Sequence, residues 1–379
     1  MDFMARALEL ADRALGRVSP NPAVGAVLVR DGLIVGEGFT QPPGQAHAEI
    51  VALTAAGPRA RGAEMYVTLE PCCHVGRTPP CTEAIIAAGV AAVHVAVPDP
   101  YPQVNGQGIN ALQRAGITVT VGAHRGEAER LNAAFFHFVR TGRPLVTAKW
   151  AMSADGKVAT RLRDSRWVTS PAARRAVHRE RDASDAIIVG IGTVLADDPA
   201  LTVRLEEEGE AQRAPRPCPP LRVVLDSQAR MPPTARMLRD GGGPVLVYVT
   251  AHAPADRVRA LVEAGAEVIP TRSVEGRPDP SAVLADLARR GAIRVLLEAG
   301  PTLMGAFLDH QLIDRVMAFI APRLVGGASA LSPVGGEGIA RMRAALPLVD
   351  VSVCQTGPDV LMEGRLSWEP AAGGSSPEE

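Results

Sequence analysis

The sequence predicts an α/β protein of two consecutive parts, the first of them a three-layer α/β sandwich. Short apolar runs typical of strands alternate with helical segments along most of the 379 residues, and repeated strand–helix units of this length indicate such layers. The alternation stops at Thr141-Gly142-Arg143-Pro144, so we place a domain boundary there and expect domains over 1–143 and 144–368. A typical domain length of about 100–200 residues agrees with this division.

The first part begins with an amphipathic helix, predicted over Met1–Val18. Ala23–Val29 and Leu33–Gly36 flank an Arg-Asp-Gly turn and predict a β-hairpin. Strands and helices then alternate along the rest of this part. The predicted helices are about Gln45–Ala56, Pro80–Ala88, Gly108–Ala115 and Glu127–Val139, and the predicted strands are Met65–Leu69, Ala92–Val97 and Thr118–Gly122.

The second part repeats the α/β alternation. Its predicted strands are Leu145–Met152, Ala186–Val189, Arg222–Leu225, Pro244–Thr250, Glu267–Ile269, Arg294–Leu297 and Val316–Ile320. Glu206–Pro220 combines charge and proline without an apolar period, which predicts an exposed loop. Glu369–Glu379 has the composition of a disordered tail.

The composition argues against several classes of protein. The 40 basic and 41 acidic residues give a net charge of −1, and 46% of the residues are hydrophobic. A disordered chain would be less hydrophobic, and a dedicated nucleic-acid binder would be markedly basic. Five cysteines in a chain of this length are not a disulfide scaffold. No window approaches the ~18–20 apolar residues of a membrane span, and the first helix lacks the apolar core of a signal peptide, so the simplest location is the cytoplasm.

Three residues of the first part have the chemistry of metal ligands. His47 and Cys81 are each predicted near a helix N-terminus, and Cys72 follows a predicted strand. One histidine and two cysteines supply three ligands, which leaves the fourth position of a tetrahedral zinc ion open for catalysis. Glu49 can carry a proton without binding the metal, which is the H-x-E…P-C-x-x-C logic of the zinc deaminases.

Other interpretations of these residues stay open at this point. Eight residues instead of two separate Cys72 from Cys81, so the spacing differs from the general signature. One alternative is a surface histidine beside cysteines that are simply buried. Another is a structural zinc ion with Cys73 or His74 as its fourth ligand, although adjacent cysteines point in different directions from an extended backbone.

Positive charge in this chain is almost entirely arginine. Of the 40 basic residues only Lys149 and Lys157 are lysines, and they bracket a segment in which a predicted strand runs into an Asp-Gly turn. A lysine offers a compact ammonium group, whereas arginine offers a planar guanidinium group. A lysine in this arginine-rich chain is therefore a candidate for a functional contact. Two residues are a small sample, and an incidental placement is the alternative.

A helix predicted over Ala172–Asp182 is a candidate contact for a phosphate. Ser170 suits the N-cap position and a proline follows it in the first turn. Arg174, His178 and Arg181 follow an i, i+4, i+7 stripe and can face one phosphate together. A solvated basic face is the alternative.

A second candidate phosphate contact is the segment Gly300-Pro301-Thr302, which opens a predicted helix after the strand Arg294–Leu297. Ligands of open α/β sheets bind at the carboxyl ends of strands, where free amides and a hydroxyl meet a phosphate. The chain has no G-x-G-x-x-G fingerprint, and an ordinary turn is the alternative for this segment.

The motifs of the first part resemble the deaminase half of the bifunctional riboflavin biosynthesis deaminase/reductases. These motifs are EPCCHVGRTPPC at 70–81, PNPAVG at 20–25 and HAE at 47–49, and the eight-residue cysteine gap is the one this family shows. The resemblance implies zinc on His47, Cys72 and Cys81, with Glu49 as proton carrier. It also implies that Asn21 contacts the pyrimidine, whereas a turn asparagine is the alternative.

The second part resembles the reductase half of the same family. The matching motifs are KWAMSADGK at 149–157, SRWVTS at 165–170, GTVLADDPALTVR at 192–204, LDS at 225–227 and EAGPT at 298–302. The resemblance spans about residues 1–365 and implies a cytidine-deaminase-like sandwich followed by a dihydrofolate-reductase-like domain that binds NADPH. The residues implied for the cofactor are Ala151, Trp167, Thr193, Asp197, Ser227, Gly300, Pro301, Thr302, Leu303, Met304, Gly305 and Ala306. Those implied for the substrate are Lys149, Ser165, Arg181, Leu201, Arg204 and Glu298.

The resemblance therefore implies two consecutive reactions on a phosphorylated pyrimidine. The first removes an exocyclic amine, and the second reduces the ribosyl group to a ribityl chain. The competing hypotheses are a deaminase of nucleic acid, which the near-zero charge disfavours, and a second part that serves only assembly or ligand sensing. We also expect a homo-oligomer without nucleic-acid or membrane partners.

Overall fold

The computed structural model describes residues 1–75, 79–205 and 216–368. The chain divides into two compact units, of which the first contains Met1–Arg143 and the second contains most of the chain from Pro144 onward. Most of the predicted loop Glu206–Pro220, and the whole of the predicted tail Glu369–Glu379, lie outside the described residues. No helix in the described part of the chain is long and apolar enough to cross a membrane.

The described residues of the first unit form one five-stranded sheet and six α-helices. In chain order these are α1 (Phe3–Asp12), β1 (Gly25–Arg30), β2 (Leu33–Phe39), α2 (Ala48–Ala56), β3 (Glu64–Val67), α3 (Cys81–Ala88), β4 (Ala92–Val95), α4 (Gln107–Arg114), β5 (Thr118–Val121), α5 (Arg125–Leu131) and α6 (Ala133–Thr141). The strand order is β2-β1-β3-β4-β5. The strand β1 is antiparallel to β2 and β3, whereas β3, β4 and β5 are parallel to one another.

Two glycines show that helices cover both faces of this sheet. A Cβ atom at Gly25 would lie 1.9 Å from the carbonyl oxygen of Ala7 in α1, and one at Gly38 would lie 2.4 Å from that of Ala48 in α2. Gly38 pairs with Ala26, the neighbour of Gly25 on β1. Since successive residues of a strand point to opposite faces, α1 and α2 lie on opposite faces, as expected of a three-layer sandwich.

Two helix predictions in this unit were wrong. The first helix ends at Asp12 instead of Val18 and is followed by turns. The predicted helix Glu127–Val139 is two helices that meet at Asn132, whose φ of −96° and ψ of 18° leave the helical region. Asn132 is buried, and its side chain exchanges two hydrogen bonds of 2.8 and 2.9 Å with the backbone of Ala23.

The second unit is built on a nine-stranded sheet with helices on both faces. Its helices are α7 (Pro171–Ala183), α8 (Ile191–Asp197), α9 (Ala255–Glu263), α10 (Pro280–Arg289) and α11 (Pro301–Asp309). Its strands are β6 (Leu145–Ser153), β7 (Ala186–Gly190), β8 (Leu221–Leu225), β9 (Val245–Thr250), β10 (Glu267–Thr271), β11 (Ser273–Val274), β12 (Arg277–Pro278), β13 (Arg294–Leu297), β14 (Arg315–Ala321), β15 (Leu348–Thr356) and β16 (Asp359–Leu366). The order in the large sheet is β10-β9-β8-β7-β13-β6-β14-β16-β15, and β11 pairs with β12 separately.

The order of the strands creates a crevice between β7 and β13. These neighbouring strands are parallel, but the chain leaves β7 through α8 towards β8 and leaves β13 through α11 towards β14. Phe307 of α11 packs in one core cluster with Ile188, whereas Val194 of α8 packs in another with Ile187. The two helices therefore lie on opposite faces of the sheet. The gap between β7 and β13 is thus a topological switch point, the place where open α/β sheets bind their ligands.

The strands β15 and β16 were not predicted from the sequence. β15 forms an edge of the sheet, and most of its residues are exposed on both faces, with Val351 49% and Val353 63% exposed. Alternation of apolar and polar residues identifies a strand that buries one face. An edge strand that buries neither face gives no such pattern.

Candidate metal centre and cofactor crevice

Three elements of the first unit bring His47, Cys72 and Cys81 together. His47 is the N-cap residue of α2, Cys81 is the first residue of α3, and Cys72 lies in the loop after β3. The Nδ1 atom of His47 is 3.6 Å from the Sγ atom of Cys72 and 3.3 Å from that of Cys81. All three ligand atoms lie within 4.8 Å of one another, so the predicted ligands occupy one site.

The start of α3 stabilises negative charge on Cys72. The backbone N–H of Cys81 donates to the Cys72 Sγ atom at 3.3 Å. The Cys81 thiol and the ring of His47 also hydrogen-bond this sulfur and hold the pKa of Cys72 well below its usual range. The hydrogen bond with Cys72 in turn raises the pKa of His47. A thiolate is the form in which cysteine binds metals, so the site is prepared for a cation.

Glu49 lies next to this site on the first turn of α2 and is only 4% exposed. Burial raises the pKa of Glu49 to about 7, and the negative charge of Cys72 adds to the effect. A carboxyl group with a pKa near neutrality can both accept and donate a proton at physiological pH. Its surroundings therefore suit the predicted role of proton carrier.

The alternative in which Cys73 or His74 completes a structural zinc site is not supported by the geometry. Among the described residues, the group of three metal-ligating side chains that could share an ion is His47, Cys72 and Cys81. The thiol of Cys73 donates instead to the carbonyl oxygen of Gln103 at 3.6 Å.

Asn21 lies in the segment that precedes β1. It is partly buried, and its backbone N–H donates to the carbonyl oxygen of Val18 at 2.8 Å. The same segment is anchored at Ala23 by Asn132. This anchor was not predicted, because a single asparagine within a helical pattern carries little signal.

In the second unit, Glu298 joins two of the predicted substrate residues in one largely buried cluster, whose side chains are 9–17% exposed. Its carboxylate accepts from Arg181 at 2.5 and 3.0 Å and from the Nζ atom of Lys149 at 3.4 Å. Burial alone would raise the pKa of Glu298, but the charges of Arg181 and Lys149 outweigh it and hold this pKa at about 2. Glu298 follows β13 directly, so the cluster lies at the crevice. The other lysine, Lys157, donates instead to the carbonyl oxygen of Ala330 at 3.4 Å.

The loop over residues 201–204 is held against α7. Arg181 donates to the carbonyl oxygen of Thr202 at 3.1 Å, and the N–H of Arg204 donates to the Nδ1 atom of His178 at 3.3 Å. Burial, together with the nearby arginines, lowers the pKa of His178 to about 4, so its ring is a neutral acceptor at pH 7. Leu201 is buried with a φ of +53°. The loop geometry thus depends on these two side chains of α7.

The structure gives the members of the predicted basic stripe different contacts. Arg181 binds Glu298, and His178 accepts from the loop of Arg204. Arg174 lies over the ring of Trp167, with its Cζ atom 4.6 Å from the ring centroid. Neutral His178 therefore adds no positive charge to a phosphate contact.

Two of the predicted cofactor residues, one on α8 and one at the start of α11, meet at the crevice between β7 and β13. Thr193 lies in the first turn of α8, and Gly300 is the N-cap of α11. A Cβ atom at Gly300 would lie 3.9 Å from the Thr193 hydroxyl oxygen, so the two residues are adjacent. Among the following residues of α11, Met304 is completely buried in the core. A Cβ atom at Gly305 would lie 2.4 Å from the backbone of Gly335.

The remaining predicted residues of this unit lie on strands, loops and α11. Trp167 is 63% exposed, and Arg166 donates to the carbonyl oxygen of Asp197, the last residue of α8. Ser227 follows β8, where its carbonyl oxygen accepts from the Thr250 hydroxyl at 2.9 Å. The others are Ala151 on β6, Ser165 in the loop before α7, and Pro301, Thr302, Leu303 and Ala306 on α11.

Known proteins match both halves of the chain. Residues 1–97 match the cytidine and deoxycytidylate deaminase zinc-binding region, and residues 144–362 match the RibD C-terminal domain. Riboflavin biosynthesis protein RibD of Bacillus amyloliquefaciens is 42% identical over 94% of both chains, and that of Escherichia coli is 42% identical over 95% of this chain and 97% of its own. The chain belongs to the RibD family.

Solved RibD structures share the fold over 96% of this chain. Acinetobacter baumannii RibD superposes with a TM-score of 0.81 at 38% identity and covers 96% of this chain and 98% of its own. A deaminase/reductase from Thermotoga maritima gives a TM-score of 0.81 at 34% identity with the same coverage. The predicted family and fold class are confirmed: the chain is a bifunctional deaminase/reductase of riboflavin biosynthesis, with a zinc-binding deaminase domain and a reductase domain.

Proposed function

We propose that the first unit hydrolyses the 2-amino group of 2,5-diamino-6-(5-phosphoribosylamino)pyrimidin-4-one, which yields 5-amino-6-(5-phosphoribosylamino)uracil and ammonia. The second unit then reduces the ribosyl group of that product to a ribityl chain with NADPH. The Thermotoga maritima relative is described as the deaminase and reductase of these compounds. The observation that carries the proposal is the convergence of His47, Cys72, Cys81 and buried Glu49 in one unit, with the Glu298 cluster in the other.

The donor set of the first unit fits zinc. One imidazole nitrogen and two sulfurs within 4.8 Å match three ligands of a tetrahedral catalytic site. We assign His47, Cys72 and Cys81 as these ligands. Zinc, when bound, acts as a Lewis acid that lowers the pKa of a water ligand to roughly 7.

Glu49 moves the proton in this proposal. Its carboxylate oxygen takes a proton from the attacking water and delivers it to the leaving amine. Glu49 therefore ends the reaction in the protonation state in which it began. Burial excludes bulk water from this carboxyl and keeps its pKa near 7, which allows both steps. Asn21 orients the pyrimidine from the segment anchored by Asn132.

The crevice of the second unit fits a phosphorylated dinucleotide. The start of α11 presents the amides after Gly300 to an anion, and one face of the Trp167 ring is covered by Arg174 while the residue is 63% exposed. We assign Thr193, Ser227 and Asp197 to the same cofactor. NADPH supplies the hydride.

The substrate of the reductase is held beside the Glu298 cluster. We assign Lys149, Arg181 and Glu298 to its ribosyl phosphate portion, with Leu201, Arg204 and Ser165 contributing from the adjoining loops. Glu298, whose pKa is held at about 2, stays negatively charged and keeps the two cations in place.

The deaminase assignment is tested by Glu49→Gln, which removes the proton carrier but keeps the shape of the side chain. We expect ammonia release to fall by about 10²–10⁴-fold, while zinc content measured by atomic absorption stays at the wild-type level. Loss of zinc would instead make Glu49 a ligand. Retained ammonia release would exclude it as the proton carrier.

The reductase assignment is tested by supplying the deaminated pyrimidine with NADPH or NADH and following the loss of cofactor absorbance. Turnover with NADPH is expected, and quenching of tryptophan fluorescence on NADPH binding should be reduced in Trp167→Phe but not in Trp368→Phe. Absence of NADPH binding would leave the second unit as an assembly or sensing module.

Two properties of the whole chain belong to the same proposal. Homo-oligomer formation is supported by the exposed edge strand β15, which carries Val351 and Val353 and offers unpaired backbone groups to a second copy. Sedimentation velocity of the purified protein tests for this oligomer.

A cytoplasmic location is supported by the cysteine ligands, which stay reduced in that compartment.

A further inference from the structure

Glu70 is a buried charge in the deaminase unit that the proposed mechanism does not use. It lies between β3 and Cys72 and is only 3% exposed. Burying a carboxylate is costly unless both oxygens have hydrogen-bond partners. The partners of Glu70 therefore indicate what its charge holds in place.

The carboxylate of Glu70 accepts three backbone hydrogen bonds from one segment, residues 99–109. Its Oε2 atom accepts from the N–H groups of Asp99 at 3.1 Å and Gly106 at 3.0 Å, and its Oε1 atom accepts from that of Ile109 at 3.1 Å. Ile109 is the third residue of α4, whose N-cap Gly106 has no side chain to satisfy the first amides. Glu70 thus caps α4 from another part of the chain, where a negative charge is favourable.

The same contacts fix the backbone that leads to Cys72. The N–H of Glu70 donates to the carbonyl oxygen of Val97 at 3.0 Å. A Cβ atom at Gly108 in α4 would lie 2.1 Å from the carbonyl oxygen of Pro71, so the start of α4 touches the peptide before Cys72. The short chain between Glu70 and Cys72 therefore has little freedom.

On its other side, Cys72 is held by the start of α3. The backbone N–H and the hydroxyl of Thr82 both donate to the carbonyl oxygen of Cys72, at 3.2 and 3.3 Å. The N–H of Cys81 donates to its sulfur. Cys72 is thus fixed between α3 and the segment that Glu70 organises.

We propose that Glu70 is a positioning residue for deamination: by binding three amides of residues 99–109 it holds α4 against Pro71 and so orients the Cys72 sulfur. The inference rests on the proposed ligand role of Cys72. Partners outside the ligand sphere commonly change metal affinity or activity by about 10–100-fold when they are removed.

The test is Glu70→Gln, which replaces one acceptor oxygen by an amide donor facing a backbone N–H. We expect the deaminase kcat to fall by about 10–100-fold with little change in KM. In cobalt-substituted protein, the sulfur-to-cobalt absorption bands should shift. Reduction of supplied deaminated pyrimidine should be unchanged, because that reaction belongs to the other unit. Glu83→Gln on the exposed side of α3 is the matched control and should behave like wild type.

Other results would overturn the inference. A wild-type cobalt spectrum together with a wild-type kcat would show that Glu70 does not orient the ligand, and a raised KM with unchanged kcat would place its role in substrate binding. If the glutamine variant does not fold, Glu70→Asp keeps the charge with a shorter reach and is judged by the same spectrum and kcat. Cys72→Ser separates the two proposals: unchanged sulfur-to-cobalt bands there would refute the ligand assignment itself.

Discussion

At the scale of single residues, the reductase unit depends on one acidic group that neutralises two cations. Glu298 lies between Arg181 and Lys149, and only 9% of its side chain is exposed. In Glu298→Gln, the two positive charges are left without their counter-ion, and breaking a buried pair costs about 3–5 kcal/mol. We expect a loss of this size in the free energy of unfolding, measured with urea and tryptophan fluorescence.

Tryptophan fluorescence reports specifically on the unfolding of the second unit, because that unit contains all three tryptophans, Trp150, Trp167 and Trp368. The matched control is Glu267→Gln, which removes an exposed carboxylate paired with Arg290. Exposed pairs contribute about 0–1 kcal/mol, so the control should lose much less. Equal losses in the two variants would contradict the importance of burial at Glu298.

His178 gives the same unit a defined dependence on pH. Its pKa is lowered to about 4 by burial and the nearby arginines, against about 6.5 in an unfolded chain. Between these values the unfolded state binds the additional proton, so this contribution to stability is full above about pH 6.5 and is lost as the pH falls towards 4.

His178→Asn retains an acceptor for the Arg204 N–H but does not titrate. Urea unfolding at pH 7 and pH 5 should therefore show a smaller loss of stability in this variant than in wild type. The exposed His252→Asn is the control and should keep the wild-type difference. An unchanged difference in His178→Asn would show that this ring is not the group responsible.

At the scale of elements, the break between α5 and α6 positions a segment of the deaminase site. Asn132 bonds both the N–H and the carbonyl oxygen of Ala23. In Asn132→Ala, these buried groups lose their partners, which costs about 1–3 kcal/mol for each unsatisfied group. We expect a lower melting temperature of the deaminase unit by circular dichroism, and a raised KM for deamination because Asn21 loses its anchor.

The control for this prediction is Asn110→Ala on the exposed face of α4. This substitution should leave the melting temperature of the deaminase unit and the KM for deamination unchanged. A variant at Asn132 with a normal KM would show that Asn21 does not depend on this anchor.

Elements with a strong local signal could be predicted from the sequence. The strand Arg294–Leu297 was predicted with its observed bounds, since an apolar run ended by Gly and Pro is unambiguous. The exposed edge strand β15 could not be found in this way, and β16, which lies between β14 and β15, was also missed. Nor could the break at Asn132, because its cause is a hydrogen bond to Ala23, 109 positions away in the chain.

In the candidate sites, too, features set by neighbouring residues could be predicted, whereas contacts between residues far apart in the chain could not. The types and order of His47, Cys72 and Cys81 indicate a zinc site, although the eight-residue gap between the cysteines left other interpretations open until the family motifs were considered. That Glu298 neutralises Lys149, 149 residues earlier, depends on strand order. Glu70 could be recognised only as part of a motif. Its contacts are with backbone amides, which nearly every residue type offers, so the sequence does not identify its partners.

At the scale of the whole molecule, each reaction is assigned to residues of one unit with its own core. Removal of zinc should therefore abolish ammonia release and leave the reduction of supplied deaminated pyrimidine unchanged. Treatment with 1,10-phenanthroline, followed by both assays, tests this expectation. Its non-chelating isomer 1,7-phenanthroline is the control, and added zinc should restore deamination. Loss of both activities on chelation would contradict the assignment.

The position of the boundary has an evolutionary consequence. The proposed zinc ligands and Glu49 precede Thr141, and the Glu298 cluster and the crevice follow Pro144. Gene fission or fusion at this point would divide or join the two catalytic sets without splitting either. Selection can also act on the rate of one step through substitutions that leave the other step's residues untouched, so the two activities can diverge at different speeds within one gene.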